Sequence, residues 1–189
     1  MGDKSIGDPL IDNIFRQDLN SPNFITALLS RQSDQGVSVD GKFSIGKVAS
    51  GLEQITQMPQ LPVVTLHGSS SINQHWSSLV DAIIGPNGRS IPIQSTANGV
   101  PKGQFAAVYD TGFTYPQVPK YISDAIYQQI PGAQFDFSSQ FWTMPCDQEV
   151  NITFVIGGRD YPIHPWDATM PNEGDKTICR GSVCKLSDI

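Results

Sequence analysis

The 189-residue sequence is poor in charged residues, and it contains no cluster of one charge sign. Lys, Arg, Asp and Glu make up 16% of the chain, against about 25% in an average soluble domain. The formal net charge is −6, and no run of Lys or Arg occurs. Because nucleic-acid-binding surfaces neutralise phosphates with clustered cations, we expect no nucleic-acid partner.

Long apolar runs are also missing. No segment reaches the roughly 18 consecutive apolar residues of a membrane-spanning helix, so we expect no membrane partner. The opening residues 1–5 (MGDKS) precede no apolar stretch. A secretory signal peptide has an apolar central region, and the sequence therefore predicts none here.

Cysteine is scarce and odd in number, with Cys146, Cys179 and Cys184. One disulfide and one remaining thiol is the simplest interpretation. A zinc site is the alternative, because Cys179 and Cys184 are close in sequence, but His164 is the only imidazole near them. We expect no metal site.

Gly and Pro are abundant, with 17 and 14 residues, which predicts many turns. The apolar pattern predicts one mainly β domain of about ten short strands and two short helices. The first helix opens at Asp8-Pro9 and the second spans residues 118–130. Strands are predicted at residues 23–31, 43–45, 61–66, 75–84, 89–93, 103–109, 142–145, 150–156 and 161–164, with turns at 36–41, 86–88 and 157–158.

The sharpest local motif is the sequence AAVYDTGFT at residues 106–114. An apolar strand leads directly into Asp110, and Thr111 and Gly112 form a tight turn behind it. The pKa of a carboxylate at a strand end can be tuned by its surroundings, and glycine lets the backbone approach a substrate. A plain turn is the structural alternative, since Asp-Thr-Gly is a short motif.

The surrounding sequence resembles the pepsin-like aspartic proteases, in particular fungal members. Asp110-Thr111-Gly112-Phe113-Thr114 is similar to the second catalytic motif of that family, with Phe113 as a departure. The resemblance covers roughly residues 8–182. Its other segments are residues 11–19, 24–30, 41–45, 61–66, 75–76, 119–133, 142–146 and 152–165.

The resemblance implies most of the carboxyl-terminal lobe of the bilobal pepsin-like fold, over residues 1–182. It implies Asp110 as a catalytic carboxylate and Thr111 as a supporting hydrogen-bonding residue. Gly112, Phe113 and Thr114 would line the substrate cleft. The implied activity is endopeptidase hydrolysis of a peptide or protein by an activated water, with no cofactor. The family also places a disulfide between positions that correspond to Cys146 and Cys179.

Enzymes of this family use two carboxylates about 3 Å apart that share a proton. The sequence has one Asp-Thr-Gly. Among the other Asp residues, Asp40 alone is directly followed by Gly, and it is interpreted as part of a hairpin turn. The first motif belongs to an amino-terminal lobe that these residues do not contain. Residues 183–189 (VCKLSDI) depart from the family pattern and are predicted to be a tail outside it.

The interpretation we favour is a partial lobe that is inactive alone and needs a complementary amino-terminal lobe. A non-catalytic peptide-binding or lobe-pairing module is one alternative. A homodimer with one Asp per chain is another. Concentration dependence separates them, because dimer activity rises steeply with protein while a binder shows saturable affinity and no turnover.

Two further expectations concern the compartment. The family is secreted or vacuolar, but the sequence predicts no signal peptide here and therefore leaves the location of this protein open. Asn151-Ile152-Thr153 is a sequon for N-glycosylation in a strand pattern, and its use requires secretion. The sequence assigns no role to Cys184.

Overall fold

The computed structural model describes residues 10–20, 22–29, 40–64, 76–95, 97–172 and 174–186. The chain forms two compact units, Met1–Pro59 and Gln60–Ile189. Short strands dominate, which confirms the predicted mainly β class. In the described ranges, no helix has the length and apolar character needed to cross a membrane.

The first unit holds a helix, a strand pair and one 3₁₀ turn. Strand β1 pairs with β2 in antiparallel register, with Ile25 opposite Ile45. The predicted helix start at Asp8-Pro9 and the predicted loop at 36–39 lie outside the described residues. The elements are α1 (Leu10–Gln17), β1 (Ile25–Leu28), β2 (Lys42–Ile45) and the 3₁₀ helix Glu53–Gln57.

The second unit contains twelve of the fourteen described strands, more than the ten predicted for the whole chain, because several are only two or three residues long. In chain order its elements are β3 (Ser77–Val80), β4 (Ala82–Ile84), β5 (Ser90–Ile91), β6 (Phe105–Val108), β7 (Gln117–Val118), α2 (Lys120–Tyr127), β8 (Gln134–Asp136), β9 (Phe141–Pro145), β10 (Ile152–Ile156), β11 (Arg159–Ile163), α3 (Pro165–Ala168), β12 (Thr169–Pro171), β13 (Ile178–Gly181) and β14 (Cys184–Lys185).

Three predicted strands differ from the structure. Residues 61–64 are not a strand, because Pro62 cannot donate to a ladder; residues 65–66 lie outside the described residues. The strand predicted at 89–93 stops at Ile91, before Pro92. The strand predicted at 75–84 is interrupted at Asp81, whose carboxylate accepts hydrogen bonds from Gln104 Nε2 (2.6 Å) and Gly158 N (2.9 Å).

Two four-stranded antiparallel sheets form the body of the second unit. Their strand orders are β11-β10-β4-β5 and β12-β13-β9-β8. The turn predicted at residues 86–88 joins β4 to β5, and Gly88 adopts a positive φ of 73° there. Two smaller pairs are antiparallel β3-β6 and parallel β14-β7.

Helix α2 supplies the centre of the core. Ile122 and Ile126 are fully buried on one face, as the apolar spacing predicts. Tyr127 is also fully buried, and its hydroxyl donates to Ala168 O and accepts from Val183 N, both at 2.9 Å. Gly181 is required beside this ring, since a Cβ there would lie 2.4 Å from Tyr127 Cζ.

The segment after residue 182 packs into this core. Val183 is fully buried, and its carbonyl accepts a hydrogen bond from Ser123 Oγ at 2.9 Å. Cys184 N donates to Pro116 O and Leu186 N to Val118 O, which ties β14 to β7. The boundary at residue 182 stays a prediction, but residues 183–186 are structurally part of the second unit.

Cys146 and Cys179 form a disulfide, with Cα atoms 4.9 Å apart, which confirms the pairing that the family resemblance implies. It joins the end of β9 to β13, next to their ladder. Cys184 is the free cysteine among the described residues, and burial raises the pKa of its thiol to about 11. Its Sγ donates to Ser182 O, so the thiol stays protonated at neutral pH.

Candidate active site

Strands β3 and β6 form a two-stranded ribbon that carries the Asp-Thr-Gly motif at one end. Ser77 lies opposite Val108 and Val80 opposite Phe105. The ladder continues one residue further, because Tyr109 N donates to Trp76 O at 2.8 Å. Asp110 therefore follows the last paired residue of the ribbon and begins a turn.

The Asp110 turn fixes one carboxylate oxygen. Gly112 N donates to Asp110 Oδ1 at 2.8 Å, the Asx-turn hydrogen bond expected of an Asp at a turn. A Cβ at residue 112 would lie 3.1 Å from the same oxygen, so glycine permits this close approach. Asp110 Oδ2 accepts no hydrogen bond from the described residues, which leaves it open to a ligand.

The residues of the turn are exposed from Asp110 to Thr114. Phe113 is 59% exposed. The hydroxyls of Thr111 and Thr114 make no hydrogen bond to Asp110 within the described chain. The turn brings together all five residues of the motif, while the supporting role of Thr111 stays a prediction.

Two aromatic residues at this end of the ribbon were not identified from the sequence as part of the site. Tyr109 is 48% exposed, and its hydroxyl lies 2.6 Å from the hydroxyl of the buried Ser78. Trp76 is 53% exposed. The Ser78–Tyr109 contact crosses the ribbon and depends on the β3–β6 register, so local sequence could not reveal it.

The other candidates have structural roles or lie apart. His164 Nδ1 accepts a hydrogen bond from Trp166 N and caps α3. His75 lies outside the described residues. Across the described ranges, no three His, Cys, Asp or Glu side chains form a group that could hold a metal ion.

A family model described as eukaryotic aspartyl protease matches residues 7–188. The chain belongs to this family. The matched range includes Asp110-Thr111-Gly112. The matched range also extends into the segment that follows residue 182.

Curated fungal relatives agree with this assignment. Major aspartyl peptidase 1 of Cryptococcus neoformans is 29% identical over 117 residues, covering 59% of this chain and 23% of the relative. The probable aspartic-type endopeptidase CTSD of Arthroderma otae is 28% identical over 174 residues, covering 92% of this chain and 41% of the relative. The probable aspartic-type endopeptidase CTSD of Arthroderma benhamiae is 32% identical over 111 residues, covering 59% of this chain and 19% of the relative. The chain thus spans less than half the length of these relatives.

Proposed function

We propose that this protein contributes one catalytic carboxylate, Asp110, to an aspartic endopeptidase. The observation that carries the proposal is the Asp110 turn itself. Its carboxylate stands exposed at the end of β6, with Oδ1 held by Gly112 N at 2.8 Å and Oδ2 open. A fixed carboxylate with one free oxygen is suited to hold a water molecule.

The chemistry needs a second carboxylate. In such a dyad the ionised Asp takes a proton from water, whose oxygen attacks the peptide carbonyl carbon, while the protonated partner donates to the carbonyl oxygen. The C–N bond then breaks as the amine nitrogen gains a proton. Because these residues hold one Asp-Thr-Gly, the second carboxylate must come from outside them, and a complementary amino-terminal lobe would supply it.

A peptide or protein chain is the substrate class that this reaction requires. Gly112, Phe113 and Thr114 are exposed beside Asp110, which supports their assignment to the substrate cleft. Phe113 offers an apolar surface to a substrate side chain, and burying that surface would favour binding. Thr111 is proposed to support the carboxylate once the dyad is assembled.

The disulfide bears on the compartment of the protein. A disulfide such as Cys146–Cys179 persists in oxidising surroundings and is rare where thiols are kept reduced. This supports a secreted or vacuolar location, the one that the family resemblance implies.

A chimera tests the proposed role of Asp110. Residues 1–189 would replace the matching segment of the Arthroderma otae relative, which aligns with 92% of this chain. We expect casein hydrolysis at acidic pH that a transition-state peptide inhibitor blocks. Asp110→Asn should lower the rate by about 10²–10⁴-fold, the contribution of one acid–base group.

The matched control is Asp40→Asn, which removes an exposed Asp that is directly followed by Gly41. It should leave the rate unchanged. An Asp110→Asn chimera as active as the Asp40→Asn chimera would contradict the proposal. So would a secreted, disulfide-bonded chimera with no activity, if the parent relative is active under the same conditions.

A further inference from the structure

The sequence contains one N-glycosylation sequon, Asn151-Ile152-Thr153, and the structure places it at the start of β10. Asn20-Ser21-Pro22 does not qualify, since its third residue is Pro. We propose that Asn151 carries an N-linked oligosaccharide in the folded protein. The proposal is independent of peptidase activity.

The backbone around Asn151 directs its side chain to solvent. Val150 and Ile152 on either side are buried in the core of the second unit. Because successive side chains of an extended segment point to opposite faces, Asn151 faces away from that core, and it is exposed. An oligosaccharide attached there can extend outward without displacing a packed residue.

The acceptor atom is free. The Asn151 side-chain amide makes no hydrogen bond to any described residue. By contrast, the side chains of Asp136, the last residue of β8, and Asp175, in the loop before β13, accept hydrogen bonds from Ser138 and Thr177. Modification of Asn151 Nδ2 therefore breaks no internal contact.

The reaction is a glycosyl transfer from a lipid-linked oligosaccharide diphosphate, found in the secretory pathway. Asn151 Nδ2 forms a bond to C1 of the first sugar and loses a proton, and the C1–O bond to the diphosphate breaks, so the lipid diphosphate leaves. The donor compartment is oxidising. The disulfide at Cys146, five positions before the acceptor, calls for the same oxidising conditions.

The test is expression of the full 189-residue chain behind a cleavable secretory leader in a yeast host. We expect the secreted protein to carry one oligosaccharide, removed by peptide N-glycosidase, which leaves Asp at position 151. Asn151→Gln should abolish the mass shift. Asn98→Gln, at an exposed Asn outside any sequon, should leave it intact.

Thr153→Ser supplies a second variant, because it keeps the sequon and should retain the oligosaccharide. The modified species must also contain the Cys146–Cys179 disulfide. Leader-cleaved, disulfide-bonded protein without the mass shift would overturn the proposal. An oligosaccharide confined to reduced, protease-sensitive protein would overturn it as well, because the site would then be incompatible with the fold.

Discussion

The core around α2 and the ribbon of β3 and β6 lie in the same unit, but their side chains differ in exposure to solvent. In the core, Ile122 and Tyr127 are fully buried, and the Tyr127 hydroxyl satisfies two backbone groups. At the end of the ribbon, Tyr109 and Phe113 are about half exposed, and Asp110 accepts one hydrogen bond from the part of the chain that the structure describes. The core is closed, while the ribbon end is open to a ligand.

The contrast shows where stability and function are separable. When a buried polar group loses its hydrogen-bond partner, the free energy of unfolding falls, because water cannot replace the lost contact. An exposed carboxylate has water as an alternative partner, so replacing it costs little stability. We therefore expect core substitutions to act on folding and substitutions at the Asp110 turn to act on catalysis.

The largest effect should come from truncating a core residue. Ile122→Ala removes buried methyl groups and leaves a cavity, which should lower the free energy of unfolding by about 2–5 kcal/mol. Val108→Ala, at an exposed position of β6, should cost within about 0.5 kcal/mol. Urea titration of both variants measures the difference. Equal losses of free energy of unfolding would contradict the distinction between the core and the ribbon.

Tyr127→Phe should have the next largest effect. Without the hydroxyl, Val183 N loses its buried acceptor, while Ala168 O keeps the hydrogen bond from Ser182 N. One buried group left without a partner costs about 1–3 kcal/mol. Tyr161→Phe is the control, because Tyr161 is partly exposed and its hydroxyl has no hydrogen bond within the described residues. If both variants unfold at the same urea concentration, the proposed importance of the buried hydroxyl is wrong.

Alkaline pH should weaken the core in a defined direction. Burial raises the pKa of Tyr127 well above its ordinary value, about 10 in the unfolded chain. Below that value both states keep the proton, so stability is fully present. As pH rises further, the unfolded state loses the proton first, and stability falls. Tyr127→Phe should show a shallower loss above pH 10 than the wild type in urea unfolding at several pH values.

Burial of Cys184 acts in the same direction, because it raises the pKa of that thiol to about 11. Cys184→Ser, tested beside Tyr127→Phe, separates the two contributions. A wild-type alkaline loss that persists unchanged in Tyr127→Phe would mean that another group dominates it.

The smallest change in stability should come from Asp110→Asn. The side chain is exposed, and an Asn oxygen can still accept the hydrogen bond from Gly112 N. We expect the free energy of unfolding to stay within about 0.5 kcal/mol of the wild type. A loss comparable to that of Ile122→Ala would show that Asp110 is a structural residue instead.

Local sequence predicted the features that depend on neighbouring residues. The Asp110 turn needs only Asp, Thr and Gly in succession, and α2 follows from apolar spacing, although it occupies Lys120–Tyr127 within the predicted 118–130. The helix is shorter because Pro119 precedes it and the chain turns near Gly132, which has a positive φ of 75°.

Features that join distant segments of the chain could not be predicted from the sequence. The parallel pairing of β14 with β7 involves two residues on each side, too few to give an alternating pattern. The break at Asp81 depends on Gln104 and Gly158, which are far along the chain. The Cys146–Cys179 pair came from the family resemblance, since spacing among three cysteines does not select a pair.

The most direct measurement of the central claim is casein hydrolysis at acidic pH by the 189-residue chain alone, over a wide range of protein concentration. Because these residues are proposed to contribute one catalytic carboxylate, we expect no inhibitor-sensitive cleavage at any concentration and no difference between the wild type and Asp110→Asn. Inhibitor-sensitive cleavage that disappears in Asp110→Asn would contradict it. A rate rising with the square of protein concentration would show that two copies of Asp110 form the dyad.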